Sequence, residues 1–398
     1  MTDNKPIRTV PRNLLKTACI VALAYLLSVL FIKPLAFSEA TFMSLQDKRD
    51  FSVTDFFNTV ANQRSVKTLD PNIIIVNIDT ADRFDIARII DLLTLCEPGA
   101  VGIDATFNQP SGNDDALIEA VKNCPGIVLA MTVTPDDETD GHRQRFSINE
   151  KSFFQDQLPQ LTYAAVNLPT KHEKSAVRQF PVYFEGARGR RVNSFAVAVA
   201  EKLDPVAIEE LYERGHALET INFPSREFIE LEPSEIADNV EAIRGKIVLL
   251  GALHDEGDQH PTPTEMSMPG VRIHAHAIST IIERQYFTQL TDAQNWVISL
   301  GLCFLLVYLN ITINLGIKGM VVRIIQVLML YLLVRIGYYL FIEHRIITDF
   351  SLSFLMITFG LFACDTWIGL TTICQWSLRR LRLLYSRTSA ARNTDKND

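Results

Sequence analysis

The sequence predicts a mixed α/β domain, with a largely parallel sheet and helices on both faces, held between α-helical transmembrane segments, one N-terminal and three C-terminal. Three observations predict it. Apolar residues concentrate at the two ends of the 398-residue chain, while most acidic residues lie in the middle. Strand-like and helix-like patterns alternate three times between residues 72 and 131, the signature of a parallel sheet with covering helices. Basic residues cluster beside the apolar ends. The mean hydropathy of +0.12 and net charge of -8 average over these unlike regions and decide little. No basic stripe interleaved with aromatics occurs in the central region, so no nucleic-acid partner is expected.

Taken in order, Lys5, Arg8, Arg12 and Lys16 precede the first apolar stretch, Thr17 to Ile32. That stretch is slightly short of the ~20 residues that cross a hydrocarbon core. Ala36-Phe37-Ser38 behind it also fits a small-residue cleavage site, but Leu35 and Phe37 are bulky for one, which favours an uncleaved anchor. The other stretches run from Gln294 to Leu315, Met320 to Ile342 and Phe350 to Ile373. Lys318 and Arg323 flank the turn between two of them, and Arg379, Arg380, Arg382 and Arg387 follow the last. Lys and Arg accumulate on the cytoplasmic side. With four spans, every basic cluster falls on one side and Ser38 to Thr291 on the other. The expected organisation is a cytoplasmic tail at 1–16, an anchor at 17–34 and an extracytoplasmic domain at 35–291. A three-helix bundle at 292–375 and a short basic tail at 376–398, disordered at its end, complete it. The setting is a bacterial cytoplasmic membrane with both termini inside.

Within the domain, a polar segment rich in Asp and Phe (Leu45 to Val60) precedes Asn72 to Ile78, a β-branched run suited to a strand buried on both faces. A helical pattern from Phe84 to Leu95 stops at Glu97-Pro98-Gly99 and leads to a strand at Ala100 to Ile103. Asn113 to Val121 is helical, and Pro125-Gly126 opens a strand at Ile127 to Met131. Thr134 to Arg145 reads as a loop or hairpin excursion. Strands are expected at Tyr163 to Leu168, Gln179 to Phe184, Thr220 to Phe223, Glu227 to Leu231 and Lys246 to Leu250. Helices are expected at Asn193 to Lys202, Pro205 to Arg214 and Val271 to Glu283. No internal repeat is evident.

Of six cysteines, Cys19, Cys303, Cys364 and Cys374 fall in the membrane segments. Cys96 and Cys124 each end a helix before a strand at one edge of the expected sheet. An oxidising compartment permits a bridge between them; the alternative is two unpaired apolar side chains.

These pieces resemble the CHASE type-two (CHASE2) extracellular sensor family over about Leu45 to Arg284. The matching stretches are IIIVNID at Ile73, AVGIDATF at Ala100, NDDALIEAV at Asn113, AVRQFPVYF at Ala176, SFAVAVA at Ser194, RGKIVLLGA at Arg244 and PTPTEMSMPGVRIHAHAI at Pro261. Each is weak alone; their order and spacing together are specific. The resemblance implies a signal-sensing module followed by three membrane helices, as here, with its ligand unidentified. Many relatives carry a kinase or cyclase after the last helix, whereas 376–398 is too short for a catalytic module. The resemblance therefore implies a non-enzymatic receptor subunit that reads an extracytoplasmic ligand and acts through a cytoplasmic or membrane output protein, with a homodimer fitting transmembrane signalling. The alternative is an envelope assembly protein that uses the domain as a scaffold.

Asp79 and Asp104 end two strands expected to be neighbours, and Lys246 to Leu250 opens into a loop with His254, Asp255, Asp258 and His260. Open α/β sheets bind ligands beyond the carboxyl ends of their strands. Asp79, Asp104, His254, Asp255 and Asp258 are thus candidate ligand-binding residues. Asp79, Asp104 and Asp258 are weak candidates for a divalent cation, which prefers hard oxygen ligands. The competing reading is structural, since acids at strand ends cap helices and fix turns. His274 and His276 are spaced i, i+2 and face different ways, against a metal role. Gly270 is expected to permit the turn into that helix, Arg178 to be a buried ion-pair partner, and 186–191 to be a solvated turn. No nucleophile elbow, phosphate loop, HExxH or paired CxxC supports catalysis. In the membrane, ~1.5 Å per residue places Asn310 and Gln326 at ~24 Å and Asp365 at ~22 Å from the outer boundary. They share a layer with Arg323 close by, either an interhelical relay or plain structural hydrogen bonding.

Overall fold

The computed structural model describes residues 13–29, 53–135, 146–150, 154–168, 175–186, 191–313 and 318–394. The chain divides into two compact units, Gln46–Thr288 and the two flanking parts together.

The α/β unit begins with helix α2 (Val53–Arg64), after α1 of the membrane unit (Asn13–Val29), where only a polar segment was expected. β1 (Thr68–Asn77) starts earlier than the apolar run because it passes through a kink. Pro71 supplies no N–H there, and the register against its neighbour shifts between Leu69 and Ile74. Buried Asp70 covers the kink by accepting from the backbone N–H groups of Asn72 (2.8 Å) and Ile73 (3.0 Å).

α3 (Arg83–Leu95) follows, its start fixed by a capping box in which Asp82 accepts from the Phe84 and Asp85 N–H groups and Asp85 reaches back. Then come β2 (Ala100–Ile103), α4 (Asp114–Asn123) and β3 (Ile127–Pro135). β4 (Phe146–Glu150) returns antiparallel to β3, so the polar excursion is a hairpin whose tip lies outside the described residues. β5 (Thr162–Ala165) is parallel to β3. The run Gln179 to Phe184 is two short strands, β6 (Gln179–Pro181) and β7 (Tyr183–Glu185), each pairing elsewhere. β8 (Arg191–Asn193), α5 (Phe195–Leu203), α6 (Pro205–Glu213), β9 (Leu218–Thr220), β10 (Arg226–Leu231), α7 (Val240–Ile243), β11 (Ile247–Gly251) and α8 (Gly270–Ile282) complete the unit. The turn at 186–191 falls largely outside the described residues.

Six strands run parallel in the order β10-β1-β11-β2-β3-β5, with β4 antiparallel. Side chains alternate across the sheet, so Ile73, Ile75, Ile247 and Leu249 join α5 and α8 in one core. Ile74, Val76, Val248 and Leu250 join α3 and α4 in the other. Gly251 is required where β11 meets α8: a Cβ there would stand 2.5 Å from the Val271 side chain. Arg178 is an ion-pair partner as expected, though half-buried, its Nε and a terminal nitrogen on the two Asp55 oxygens at 2.8 and 2.6 Å. It ties α2 to the segment before β6.

The expected Cys96–Cys124 bridge is not formed; both are free, buried thiols. Each sulfur turns to a local carbonyl, Cys96 to Leu92 at 3.3 Å and Cys124 to Pro125 at 3.9 Å. Burial pushes both thiol pKa values up.

The membrane unit holds α1, α9 (Asp292–Thr312), α10 (Lys318–His344) and α11 (Ser351–Thr394). Among the described residues, three helices are long and apolar enough to cross a membrane, and α1 is a shorter apolar helix. α1 packs Ile20, Val21 and Ala24 with Cys303, Val307, Met356 and Cys364 of α9 and α11. α11 continues as a helix to Thr394, and the last residues of the tail expected to lose order, 395–398, lie outside the described residues.

Candidate functional site

The carboxyl edge of the sheet is where the sequence places its candidate residues. β11 lies between β1 and β2, so Asp79 and Asp104 do not end neighbouring strands. The registers Asn77↔Gly251 and Leu250↔Ile103 bring all three strand exits level. Asp79 and Asp104 therefore flank the loop that carries His254, Asp255 and Asp258.

Asp79 is already engaged. Its oxygens accept from the His254 N–H (3.1 and 3.2 Å), and Oδ2 stands 2.7 Å from His254 Nδ1. Burial raises its pKa, but the His254 amide and ring and Asn77 outweigh that and hold it below the usual range. The His254 side chain is 78% exposed, so this pair sits at the surface. Asp255 fixes a turn by accepting from the Gly257 N–H at 2.8 Å. Asp258 pairs with His260 at 3.2 Å and packs on the start of α8. There Gly270 makes the room expected of it, because a Cβ would meet both Asp258 oxygens at 2.6 Å.

Asp104 keeps some solvent contact, yet the protein around it desolvates the carboxylate and Asp258 adds like-charge repulsion. Together they raise its pKa to about 8, so it carries its proton at neutral pH. The edge thus offers one carboxylate engaged by His254, one neutral acid, one acid that fixes a turn and one paired with His260. Among the described residues, no group of three or more His, Cys, Asp or Glu is arranged to hold a metal ion.

A second place was not among the candidate sites expected from the sequence. Beside the edge strand β10 lies a cavity of about 530 Å³. α2 contributes Thr59, Asn62 and Gln63 to its wall, and β10 contributes Arg226, Phe228 and Glu230. Thr264 and Glu265 come from the loop held by the pairing of Gln259–His260 with Met268–Pro269, and Arg272 and His276 come from α8. His276 is wedged between the Phe223 and Phe228 rings, with centroids 5.1 and 4.9 Å away. Burial, then Arg226 and Arg272, push its pKa down to about 3, so it is neutral. Its Nδ1 is fully buried and has no hydrogen-bond partner.

Arg226 is similar. Its terminal nitrogens bond Asp70 (2.8 Å), Glu283 (2.6 and 2.8 Å) and the Ser279 hydroxyl, while its buried Nε has no partner. A buried polar atom left unpaired costs ~1–3 kcal/mol, and both of these belong to residues in the wall of the same cavity. The i, i+2 spacing does send the two helix histidines to different surroundings. His274 packs its edge on Phe195 at 5.1 Å and bonds the Val166 backbone, with its pKa pushed to about 4, chiefly by burial.

The expected intramembrane layer is partly assembled. Arg323 links Gln326 (3.3 Å) to Asp365 (3.4 Å), and Gln326 also donates to the Ile357 carbonyl at 2.9 Å. Asn310 does not join it among the described residues. A second contact, the fully buried Ser299–Ser353 hydroxyl pair at 2.7 Å, joins α9 to α11 and was not anticipated.

Compared with known proteins, residues 22–310 match the CHASE2 domain. No curated protein and no solved structure matches.

Proposed function

The chain belongs to the CHASE2 domain family, whose members are extracellular sensor domains, and from that premise we propose that its cavity beside β10 receives the signal as a small, net-neutral, hydrogen-bonding molecule. The unpaired, buried Nδ1 of His276, a residue in that cavity's wall, carries this reading. The ionisable residues in the wall balance, Lys67, Arg226 and Arg272 against Glu227, Glu230 and Glu265, and the remaining polar lining is hydroxyls and amides. Lys67 is paired with Glu227 and Arg272 with Glu230, each at 2.6–2.7 Å, so a charged ligand would have to break a pair. An uncharged oxygen that reaches His276 or Arg226 Nε relieves a desolvation already suffered in the empty state.

α8 couples the cavity to the membrane. It carries His276 and Arg272, and only the segment 283–291 separates its end from α9. A ligand bound more tightly by one position of α8 shifts the population toward that position. α11 runs unbroken from its apolar part to Thr394 and would carry the shift to a cytoplasmic or membrane output protein. The distribution of the basic clusters supports a reading with the α/β domain outside a bacterial cytoplasmic membrane and both ends inside.

The test uses the full chain in mild detergent, with thermal unfolding followed in millimolar D-glucose, myo-inositol, sodium glucuronate and glucosamine. The neutral polyols should raise the melting temperature of the native protein, and His276→Phe should abolish that response while leaving the fold intact. Equal responses in native and variant proteins, or a response to the charged sugars alone, would overturn the reading.

A further inference from the structure

The membrane unit contains a cation that no described residue neutralises. Arg335 stands on α10 within the span Gly319–His344. At ~1.5 Å per residue it is about 5 Å from the middle of that span. It is exposed, and no hydrogen bond or ion pair to another described residue reaches it. The sole acid on its own helix, Glu343, is about 12 Å further along. The acid within the span of α11, Asp365, is held by Arg323. A charge at such depth is costly and normally faces a partner or a water-filled cavity, and the flexible Arg stem covers only part of the distance to the interface.

α10 is also the least covered helix: 11% of its apolar window is buried, against 28% for α9 and 33% for α11. Leu328, Tyr331, Leu332, Arg335, Tyr339 and Ile342 recur at the three- and four-residue spacing of one helix face, and all are exposed. This is a stripe with one positive charge near its middle and tyrosine hydroxyls on either side.

We propose that this face of α10 docks a transmembrane helix of a different polypeptide, one that presents an Asp or Glu to Arg335 near the bilayer midplane. Charge complementarity selects the occupant. Two copies meeting symmetrically through this face would bring Arg335 against Arg335, and lipid chains offer it no counter-ion. The partner's acid would be as badly placed alone as Arg335 is, so pairing removes two penalties at once. This goes beyond the sensing reading, since it holds whatever the cavity binds.

The test co-expresses the full chain with a tagged poly-leucine transmembrane helix that carries a single Glu, Gln or Leu at its centre, and measures co-purification in mild detergent. The Glu helix should be retained about tenfold better than the Leu helix. Arg335→Leu, which makes the face more apolar and so leaves folding undisturbed, should remove that preference. Arg335→Glu should transfer it to a probe with a central Lys. Retention independent of the probe's central residue, or a Glu preference that survives Arg335→Leu, would overturn the proposal. So would a two-copy particle by light scattering that dissociates in Arg335→Leu, because the face would then belong to a second copy.

Discussion

The carboxyl edge of the sheet and the flank of β10 hold similar residue types in opposite conditions. At the edge, Asp79 has His254, Asp255 has a turn, and Asp104 keeps a proton. Along β10, His276 Nδ1 and Arg226 Nε are buried with nothing to bond and a cavity beside them. A cluster of acids is visible in a sequence but can be spent on holding the fold. An unsatisfied polar atom beside open space is the better indicator of a ligand, because the protein already bears its desolvation.

Substitutions can break this contrast, and the largest effect is expected at Arg226. Arg226→Ala leaves Asp70, whose side chain is 1% exposed, as an uncompensated buried acid and should cost ~3–5 kcal/mol in denaturant unfolding. Asp104→Asn should act in the opposite direction. The folded carboxyl titrates at about 8 and the unfolded one near ~3.9. The folded state therefore holds the extra proton between those values, and the native protein loses stability as pH rises through that window. The Asn variant should escape this loss, with a gain of a few kcal/mol at most, visible as a smaller fall in melting temperature between pH 5 and pH 8. If both proteins fall equally, the edge is less sheltered than described.

Asp79→Ala removes the acceptor for His254 and should cost ~1 kcal/mol. Because the Asp79 pKa is depressed, its contribution is present above the unfolded value and lost as pH falls through the folded one, so native and variant should converge in acid. His276→Phe should have the smallest effect on stability, near zero or a gain of up to ~1 kcal/mol, since it replaces an unpaired polar ring with an apolar one among phenylalanines. Its signature is the loss of ligand response at unchanged stability. A large destabilisation there would show that the ring bonds within the fold and would remove the contrast.

The sheet was readable because strands buried on both faces must be apolar throughout, and Ile73 to Val76 and Ile247 to Leu250 show this directly. The start of β1 was not, because Pro71 interrupts the pattern and Asp70 mends it with a side chain. α2 was missed because its short polar sequence gains its buried face through partners such as Arg178, distant in sequence. The candidate acids were found at the correct edge, yet their roles depended on His254 approaching Asp79 and on β11 entering between β1 and β2. The cavity left no local trace, since its wall comes from α2, β10, the 259–269 hairpin and α8.

The sequence by itself determined the division into a basic-flanked membrane part and an α/β sensor domain, and the strand exits at which Asp79, Asp104 and the His254 loop stand. Those are statements about periodicity, length and charge, which neighbouring residues carry among themselves. Only the tertiary structure decided that Asp104 is neutral, that Cys96 and Cys124 stay unbridged, that His276 Nδ1 and Arg226 Nε lack partners and that no described residue pairs with Arg335. Each of these depends on which distant groups arrive within a few ångströms, and on whether water, protein or lipid fills the space that remains.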